Sequence, residues 1–353
     1  MSSVSTAPTP MVAGGASQPQ PSELLMQAAC GHIVAQALNV AARLKLADHL
    51  GAGPRSAAEL AKATQTDANA LYRVLRALAS VGIFTEVAPR SFALTAPAEL
   101  LRSDVPNSMH AMVVFLCDPE HFQAYREMMH SVKTGETICQ RVYGMPIFEH
   151  FAKNQAWSDV FNSAMTSFSA AVIPAALEVY DFGSIGTLMD VAGGHGFVLT
   201  SILDKYPKMR GILLEVDHVC EGASQRIGKL ECSGRCQIMT GDFFKSIPAG
   251  ADAIIMKHII HDWDDDEALT ILRNCHRALA GKPNAKVILL EAVLARGNEP
   301  QFGKVLDLEM LLFTGGRERT EEEFRTLFAR AGFQLTRVLP TKSPLSVVEA
   351  ERI

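Results

Sequence analysis

A histidine with two possible acidic partners is the first feature of the sequence that could carry out chemistry. His261 comes shortly after an apolar run that ends at Met256, and ligands bind beyond the carboxyl ends of parallel strands. Glu291 and Glu318 are both candidates to bond one imidazole nitrogen, which leaves the other nitrogen free to accept a proton. Because an imidazole titrates near neutral pH, the pattern predicts that His261 acts as a general base.

The same segment offers a metal site as an alternative. His258, His261 and Asp262 all have side chains that can bind a metal ion. On a passage from strand to loop, however, we expect the two histidines to point to opposite sides, and no cysteine or further acid completes the ligand set. The sequence therefore favours a site without a metal.

A glycine-rich turn with the sequence AGGHG follows the apolar residues 188–191. Glycine lets the backbone approach a ligand closely at the switch point of a parallel sheet. A dinucleotide-binding turn would need a third glycine, but Gly194 and Gly196 are followed by Leu199. S-adenosylmethionine has no pyrophosphate and does not need that form of turn, so this cofactor is favoured over a dinucleotide.

Acidic residues stand at the ends of the next two predicted strands. Glu215 follows Gly196 by 19 residues and can accept hydrogen bonds from both ribose hydroxyls of a nucleoside. Asp242 can receive the adenine amine, and Phe243 can cover the adenine ring. Plainer alternatives remain open: Glu215 as a solvated strand end, and Asp242 as the cap of the following helix.

The elements that must position these residues differ between the two halves of the chain. Residues 22–178 give mostly helical signals, and Ser22 is predicted to cap a first helix at 22–50. Helix, turn, helix and hairpin then predict a winged helix. Its predicted parts are a capping box at residues 56–59, a helix that follows residues 66–67 and ends at 80, and strands at 81–86 and 91–94.

Strands and helices alternate from residue 181 onwards, which predicts a parallel sheet with helices on both faces. The predicted strands are 188–191, 211–216, 236–239, 253–256 and 287–292, and the predicted helices are 199–205, 220–230 and 266–279. A helix at 321–331 and paired strands at 334–339 and 346–351 end the chain, as expected of a methyltransferase sheet. The predicted fold class is therefore α/β, with a Rossmann-like class I methyltransferase domain preceded by a mainly helical winged-helix domain.

Composition and charge limit the classes of partner. The chain has 353 residues, of which 48% are hydrophobic, enough for a sizeable core and two domains. Its formal net charge of −5 argues against a protein that mainly binds nucleic acid. The second winged-helix helix offers only Asn69, Arg73 and Arg76 to a DNA groove, so a regulator that senses S-adenosylmethionine is the minority alternative.

The sequence also bears on cellular location. Residues 1–21 lack the basic segment and apolar run of a secretory signal and are predicted to form a disordered tail. No apolar run reaches the roughly 18–20 residues that span a bilayer. Seven scattered cysteines, an odd number, do not suggest a disulfide framework. We therefore expect a cytoplasmic protein without a membrane partner.

Four motifs, in this order, resemble the plant-type small-molecule O-methyltransferases, a family that includes animal hydroxyindole O-methyltransferase and many bacterial natural-product enzymes. They are DVAGGHG at 190–196, GDFF at 241–244, HDW at 261–263 and RERT at 317–320. The resemblance covers nearly the whole chain after the predicted tail. It implies S-adenosylmethionine as the cofactor and a homodimer. The implied domains are a winged-helix dimerisation domain at 22–104, a helical connector lining the substrate pocket at 105–180 and a cofactor-binding catalytic domain at 181–353.

The resemblance also implies a set of site residues. His261 would be the general base, with Glu291 and Glu318 beside it. The implied cofactor-binding residues are Met165, Gly193, Gly194, Gly196, Glu215, Asp242, Phe243 and Lys257. The implied substrate-binding residues are Asn162, Met256, Asp262, Asp307 and Met310. The family uses no metal ion.

Two positions depart from the family pattern. Ala192 replaces a glycine, and we expect a mild effect because a methyl group can be tolerated beside the cofactor. Where the family usually has Asp-Leu-Pro, this chain has Glu215, Val216 and Asp217. Asp217 is therefore an alternative to Glu215 as the residue that holds the ribose.

The predicted reaction is methyl transfer from S-adenosylmethionine to a hydroxyl of a small, aromatic, phenolic acceptor. Such a transfer is an in-line displacement, which requires alignment of the reactants and removal of the hydroxyl proton. Methionine and phenylalanine side chains among the pocket candidates suit a flat, apolar acceptor. The same fold could instead serve N-methylation or a reaction without methyl transfer.

Overall fold

The computed structural model describes residues 20–353, so nearly all of the predicted tail lies outside the described residues. The N-terminal part contains α1 (Pro21–Arg43), α2 (Leu46–Leu50), β1 (Arg55–Ser56), α3 (Ala57–Thr64), α4 (Ala68–Ser80), β2 (Phe84–Ala88), β3 (Ser91–Leu94) and α5 (Ala96–Glu99). Six helices follow: α6 (His110–Leu116), α7 (Pro119–Ala124), α8 (Met128–Thr134), α9 (Cys139–Val142), α10 (Ile147–Lys153) and α11 (Gln155–Val179).

The remaining elements alternate between strand and helix before the terminal hairpin. They are β4 (Thr187–Val191), α12 (Phe197–Lys205), β5 (Arg210–Glu215), α13 (Asp217–Ile227), β6 (Cys236–Thr240), β7 (Ala253–Lys257), α14 (Asp265–Ala278), β8 (Lys286–Glu291), β9 (Val293–Leu294), α15 (Phe302–Phe313), β10 (Arg319–Thr320), α16 (Glu321–Ala331), β11 (Phe333–Pro340) and β12 (Ser346–Arg352).

The start of the chain differs from its prediction. Helix α1 begins at Pro21, because Gln20 and Glu23 form a capping box around its first turn, so Ser22 is not the cap. The single helix predicted at 22–50 is divided at Lys45, whose φ of 51° lies in the left-handed region and separates α1 from α2.

The predicted winged helix is confirmed. Ser56 and Glu59 form the capping box of α3, and the Asp67 carboxylate accepts two backbone N–H groups at the start of α4. Strands β1, β3 and β2 form a three-stranded antiparallel sheet in that order. The first wing strand begins at Phe84 rather than at residue 81, because Gly82 has a φ of 81° and turns the chain.

Helices α1 and α11 are long and apolar enough to cross a membrane by length and composition alone. The expectation that no stretch reaches this length was therefore wrong. A core helix of a soluble protein passes the same test, and α11 buries Phe168, Val172 and Ile173 against its neighbours. The apolar face of α1 is exposed instead, with Leu25 and Ile33 exposed by 73% and 59%.

A seven-stranded sheet forms the centre of the C-terminal part. Its order is β11-β12-β8-β7-β4-β5-β6. All pairs are parallel except those of β12, which runs antiparallel to both β8 and β11. The predicted sheet with a terminal antiparallel hairpin is thus confirmed, and the predicted strands agree with the observed ones to within one or two residues.

The chain order reverses between β4 and β7, which lie side by side in the sheet. From β4 the chain adds β5 and β6 on one side, and β7 and β8 follow on the other. Such a switch point opens a crevice at the carboxyl ends of the strands. Apolar side chains of α11 and α12 fill one face of the sheet, and those of α14 and α16 fill the other.

Candidate active site

Two cavities meet at the carboxyl ends of the central strands. The larger cavity has a volume of about 420 Å3 and is bordered by residues at the ends of β4, β5, β6 and β7. The smaller cavity, of about 250 Å3, lies among α6, α7, α10, α11 and α15. A ligand in one cavity can contact a ligand in the other, because both are lined by the same set of side chains: Phe148, Phe151, Phe161, Met165, His258 and Asp262.

The glycine-rich turn forms one wall of the larger cavity. Ala192, Gly194 and Gly196 have φ angles of 56°, 58° and 74°. Placing a residue other than glycine in this left-handed region costs about 1–2 kcal/mol. Alanine at position 192 therefore strains the backbone. From the sequence we expected only the effect of an added methyl group beside the cofactor. Gly196 does not line the cavity and is instead the N-cap of α12.

Gly193 is required by close packing rather than by its backbone angles. A Cβ atom at this position would overlap the Asp190 carboxylate and lie 2.7 Å from Cδ1 of Leu213. Gly193 and Gly194, two of the glycines predicted to bind the cofactor, both line the larger cavity. At Gly193 and Gly194 the turn therefore presents only backbone to a ligand on this wall.

The backbone also fixes Glu215 in the larger cavity. The N–H groups of Gly194 and Val216 each donate to one carboxylate oxygen, at 2.8 Å. Burial raises the pKa of Glu215, while these two N–H groups favour the ionised form. Glu215 is buried and lines the cavity, so it is not a solvated strand end. Asp217 lies in the first turn of α13 and does not line the cavity.

Asp242 and Phe243 line the larger cavity beyond β6. The Asp242 carboxylate accepts the N–H of Phe244 at 2.9 Å and lies 3.1 Å from Nζ of Lys245. Although burial acts in the opposite direction, these two contacts lower the pKa of Asp242. Asp242 thus combines a local backbone contact with exposure to the cavity, and stays ionised near neutral pH.

Two oppositely charged side chains border the larger cavity. Both carboxylate oxygens of Asp190 are buried without a hydrogen bond, and Nζ of Lys257 lies 5.8 Å from the centre of the Phe168 ring. Burial raises the pKa of Asp190 to about 7, and Lys257 opposes this shift. Burial also lowers the pKa of Lys257. Because isolated buried charges are costly, the pair suits a ligand that carries both a cationic and an anionic group.

His261 lines the smaller cavity and forms a hydrogen bond with Glu318. Its Nδ1 lies 2.7 Å from Oε1 of Glu318 and 3.9 Å from Oε2 of Glu291. The other oxygen of Glu291 accepts the N–H groups of Ile259 and Ile260, at 3.2 and 3.0 Å. Glu318 therefore orients the imidazole directly, whereas Glu291 fixes the backbone just before it.

Close backbone approach brings Glu318 to His261. A Cβ atom at Gly316 would overlap the backbone of residues 261–263, and the N–H of Arg317 donates to the His261 carbonyl at 2.8 Å. The fully buried Arg319 guanidinium donates to the carbonyls of Ile260 and Trp263, at 2.9 Å each. The RERT motif thus fixes the position of the loop that carries His261.

The acidic groups around His261 have raised pKa values. Burial, helped by Asp307, raises the pKa of Glu318 to about 8. Burial also raises the pKa of Glu291. Asp262, whose Oδ1 lies 3.6 Å from Nε2 of His261, has its pKa raised to about 7 by the same cause. Glu318 therefore becomes ionised only as the pH approaches about 8.

His258 lies on the same side as His261, so the expectation that they point to opposite sides was wrong. The reason is the left-handed backbone at His258, with a φ of 53°, which turns its ring towards the cavities. The two imidazoles stack with ring centres 4.4 Å apart. Together with Glu291 they place possible metal-ligand atoms within 4.8 Å of one another. Stacked rings direct their nitrogen lone pairs side by side rather than towards one point, which is unfavourable for a shared ion.

The remaining predicted site residues fall into three places. Lys257 lines the larger cavity, Met165 and Asp262 line both cavities, and Met310 lines the smaller one. Asn162, predicted for the substrate, lines only the larger cavity.

Met256 and Asp307 line neither cavity. Met256 is fully buried because it faces the helices behind the sheet. Asp307 accepts the Glu318 N–H at 2.7 Å, so it supports the RERT segment instead of a substrate.

Most walls of the smaller cavity were missed by sequence reasoning. They come from apolar and aromatic side chains on separate helices, together with one glutamate: Met112, Phe115, His121, Trp157, Glu309 and Phe313. No spacing along the chain connects these positions, because α6, α7, α11 and α15 meet only in the folded protein. Their abundance of aromatic residues was the only signal in the sequence.

Family comparisons agree with this architecture. Residues 26–104 match the O-methyltransferase dimerisation domain, and residues 125–334 match the O-methyltransferase domain. The chain therefore belongs to the O-methyltransferase family that combines these two domains, and it is an S-adenosylmethionine-dependent methyltransferase.

Individual relatives cover nearly the whole chain. A phenazine O-methyltransferase from Lysobacter antibioticus is 42% identical over 332 residues, which cover 94% of this chain and 96% of the relative. The crystal structure of LaPhzM has a TM-score of 0.87, with 42% identity over 95% of this chain and all of that one. The neocarzinostatin enzyme NcsB1, solved with S-adenosylmethionine and 2-hydroxy-5-methyl naphthoic acid, has a TM-score of 0.73 and 31% identity, and the match covers 90% of this chain and 96% of that one.

Proposed function

We propose that this enzyme methylates a phenolic hydroxyl and that Nε2 of His261 removes the hydroxyl proton. The observation that carries the proposal is the His261–Glu318 pair. Glu318 occupies Nδ1 at 2.7 Å, so once the pair has lost its second proton, Nε2 keeps a free lone pair. His261 lines the smaller cavity, directly beside the residues that both cavities share.

The larger cavity fits S-adenosylmethionine by the chemistry of its walls. Asp190, whose carboxylate has no hydrogen bond, and Lys257 offer charges of opposite sign to the ammonium and carboxylate of the cofactor's amino-acid part. Glu215 has lone pairs for the ribose hydroxyls, and Asp242 can accept the adenine amine. We assign the ribose to Glu215 rather than Asp217, because only Glu215 lines the cavity.

When bound, the cofactor supplies a methyl group on a positively charged sulfur. The protein's part is to align the acceptor and take its proton. The junction of the two cavities is the region lined by the side chains that both share. An aromatic ring can be held there by three of them, Phe161, Met165 and His258. As the acceptor oxygen bonds to the methyl carbon and the carbon–sulfur bond breaks, His261 accepts the hydroxyl proton at Nε2.

The acceptor that we propose is a hydroxylated aromatic molecule, in line with the fused aromatic ring systems, phenazine and naphthalene, in the names given for two relatives. Aromatic and other apolar side chains make up most of the walls of the smaller cavity. Phe151 and Phe161 stack with ring centres 4.5 Å apart, and Phe115 meets Phe161 edge to face at 5.5 Å. Such walls favour a flat apolar ligand over a flexible polar one.

We also propose that the enzyme works as a homodimer in the cytoplasm. The match to a dimerisation domain and the exposed apolar side chains of α1, including Leu24, Leu25 and Met26, support a dimer. All seven cysteines are free, as in a reducing compartment. Light scattering of the purified chain at twice the monomer mass would agree, whereas a stable monomer would contradict the dimer.

The first experiment follows the label of methyl-labelled S-adenosylmethionine into a panel of phenols, with aromatic amines included. Wild type is compared with His261→Ala, and with His276→Gln as a matched control, since His276 bonds the Ile353 carbonyl outside both cavities. We expect phenol labelling to fall about 100- to 10,000-fold in His261→Ala, and to stay near wild type in the control. Equal rates in wild type and His261→Ala would refute the base, and label only in amines would refute the hydroxyl acceptor.

A further inference from the structure

The smaller cavity contains a second histidine–glutamate contact. Nε2 of His121 lies 2.6 Å from Oε1 of Glu309, and the Tyr125 hydroxyl donates to the other carboxylate oxygen at 2.5 Å. The Glu309 side chain is only 12% exposed. Glu309 lines the smaller cavity and not the larger one, so it faces the acceptor's side of the site.

Aromatic packing holds this carboxylate in place. The His121 ring stacks on Phe313, with ring centres 4.4 Å apart, and meets Phe115 edge to face at 4.7 Å. His121 itself is 1% exposed. Because its two partners are locked by packing, Glu309 cannot readily turn away from a ligand in the cavity.

No lysine or arginine lines the smaller cavity among residues 20–353. Its acidic residues are Asp262 and Glu309, and its other titratable residues are three histidines. Burial lowers the pKa of His258 well below its usual value, so this ring is neutral. His121 and His261 each face a glutamate already. A carboxylate on a bound acceptor would therefore find no lysine or arginine to neutralise its charge.

We infer that Glu309 is a specificity residue, which makes the enzyme prefer uncharged hydroxyaromatic acceptors that carry a hydrogen-bond donor and reject aromatic carboxylates. The inference rests on the proposed function and names the class of acceptor. An N–H or second O–H on the ring can donate to the remaining lone pairs of the Glu309 carboxylate. An acceptor carboxylate would be desolvated near two acidic side chains, which disfavours its binding.

The test uses three acceptors that share one ring and one hydroxyl position: a hydroxynaphthoic acid, its carboxamide and its methyl ester. The carboxamide can donate a hydrogen bond, the ester is neutral without a donor, and the acid is charged. For wild type we expect kcat/KM to be greatest for the carboxamide, intermediate for the ester and least for the acid. The carboxamide should exceed the acid by about 100-fold.

Glu309→Gln should narrow the ratio of carboxamide to acid about tenfold, mainly through a lower KM for the acid. Glu322→Gln is the matched control, because Glu322 is 65% exposed on α16 and lines neither cavity. Tyr125→Phe provides a second variant in case Glu309→Gln does not fold. It frees an oxygen of Glu309 and should widen the preference for the carboxamide over the ester.

Two results would overturn the inference. One is equal kcat/KM for the acid and the carboxamide in wild type, and the other is an unchanged ratio in a folded Glu309→Gln enzyme that still binds S-adenosylmethionine. The proposed function fails separately. If no acceptor is labelled, including simple phenols, the reaction itself is refuted, whereas labelled phenols without discrimination refute only the role of Glu309.

Discussion

The two cavities are built from different materials. The larger cavity is bordered by strand ends and by a glycine-rich turn. Backbone atoms form the wall at Gly193, and two backbone N–H groups hold the Glu215 carboxylate. The smaller cavity is bordered by side chains that project from five helices, such as Phe115 and Phe313. A change in the first should decide whether a ligand binds, and a change in the second should decide which ligand binds.

This difference suits a family with one cofactor and many acceptors. A wall of backbone can be altered only by moving the sheet, because its position is set by hydrogen bonds along β4 and β5. A wall of side chains can change shape by single substitutions while the helices stay in place. The acceptor side can therefore diverge while the cofactor side remains the same.

The largest effect should come from breaking the larger cavity with Gly193→Ala. The added methyl group would overlap the Asp190 carboxylate and crowd Leu213, so the turn must move away from the ligand. We expect the KM for S-adenosylmethionine to rise at least about 100-fold, and binding can be measured by calorimetry.

Gly234→Ala is the control for that experiment, because a Cβ atom there would meet nothing within 4 Å. Normal cofactor binding by Gly193→Ala would show that the turn can adjust. The proposed contrast between backbone walls and side-chain walls would then be wrong.

The next effect concerns the junction of the two cavities. Glu318→Gln keeps a partner for Nδ1 of His261 but removes the negative charge, so we expect kcat to fall about 10- to 100-fold with little change in either KM. Wild-type kcat should rise with pH until about 8, where the Glu318 carboxylate becomes ionised. In the variant this rise should be absent, because the substituted amide does not titrate.

The measurement is a pH profile of kcat for wild type, Glu318→Gln and the exposed-loop control Glu299→Gln. Glu299 lines neither cavity. An unchanged profile in Glu318→Gln would mean that Glu318 only fills space beside the imidazole.

The smallest effect on cofactor binding should come from the unpartnered carboxylate of Asp190 in the larger cavity. Asp190→Asn should weaken S-adenosylmethionine about tenfold, because a charged partner for its ammonium is lost. The same change should stabilise the cofactor-free protein above neutral pH by up to about 4 kcal/mol, since it removes a buried carboxylate without a partner.

The stability difference between wild type and Asp190→Asn should change with pH in a defined direction. Burial raises the folded-state pKa of Asp190 to about 7 from its usual 3.8, so the proton-bound form is favoured by folding. Its contribution to wild-type stability is present below pH 4 and is lost as the pH rises to about 7. Denaturant unfolding of both proteins should therefore show a difference that grows between pH 4 and 7 and is constant above, whereas a constant difference throughout would contradict the burial.

Much of the larger cavity could be predicted from the sequence, because its residues follow strands directly. Gly193, Glu215 and Asp242 each stand at the carboxyl end of an apolar run, and parallel strands bring such ends to one edge. The prediction missed the strain at Ala192 and the shared orientation of His258 and His261. Both depend on left-handed backbone angles, which cannot be predicted from the residue type unless the residue is glycine.

The sequence by itself determined the winged helix, the order of the main strands of the sheet and the residues at the strand ends, because these follow from local periodicity and capping. Only the tertiary structure decided that Glu318 rather than Glu291 bonds His261, and that Glu309 faces the acceptor's side. The physical reason is distance along the chain. Residues 57 positions apart meet only because buried packing at Gly316 and Arg319 brings their segments together, and no local pattern records that contact.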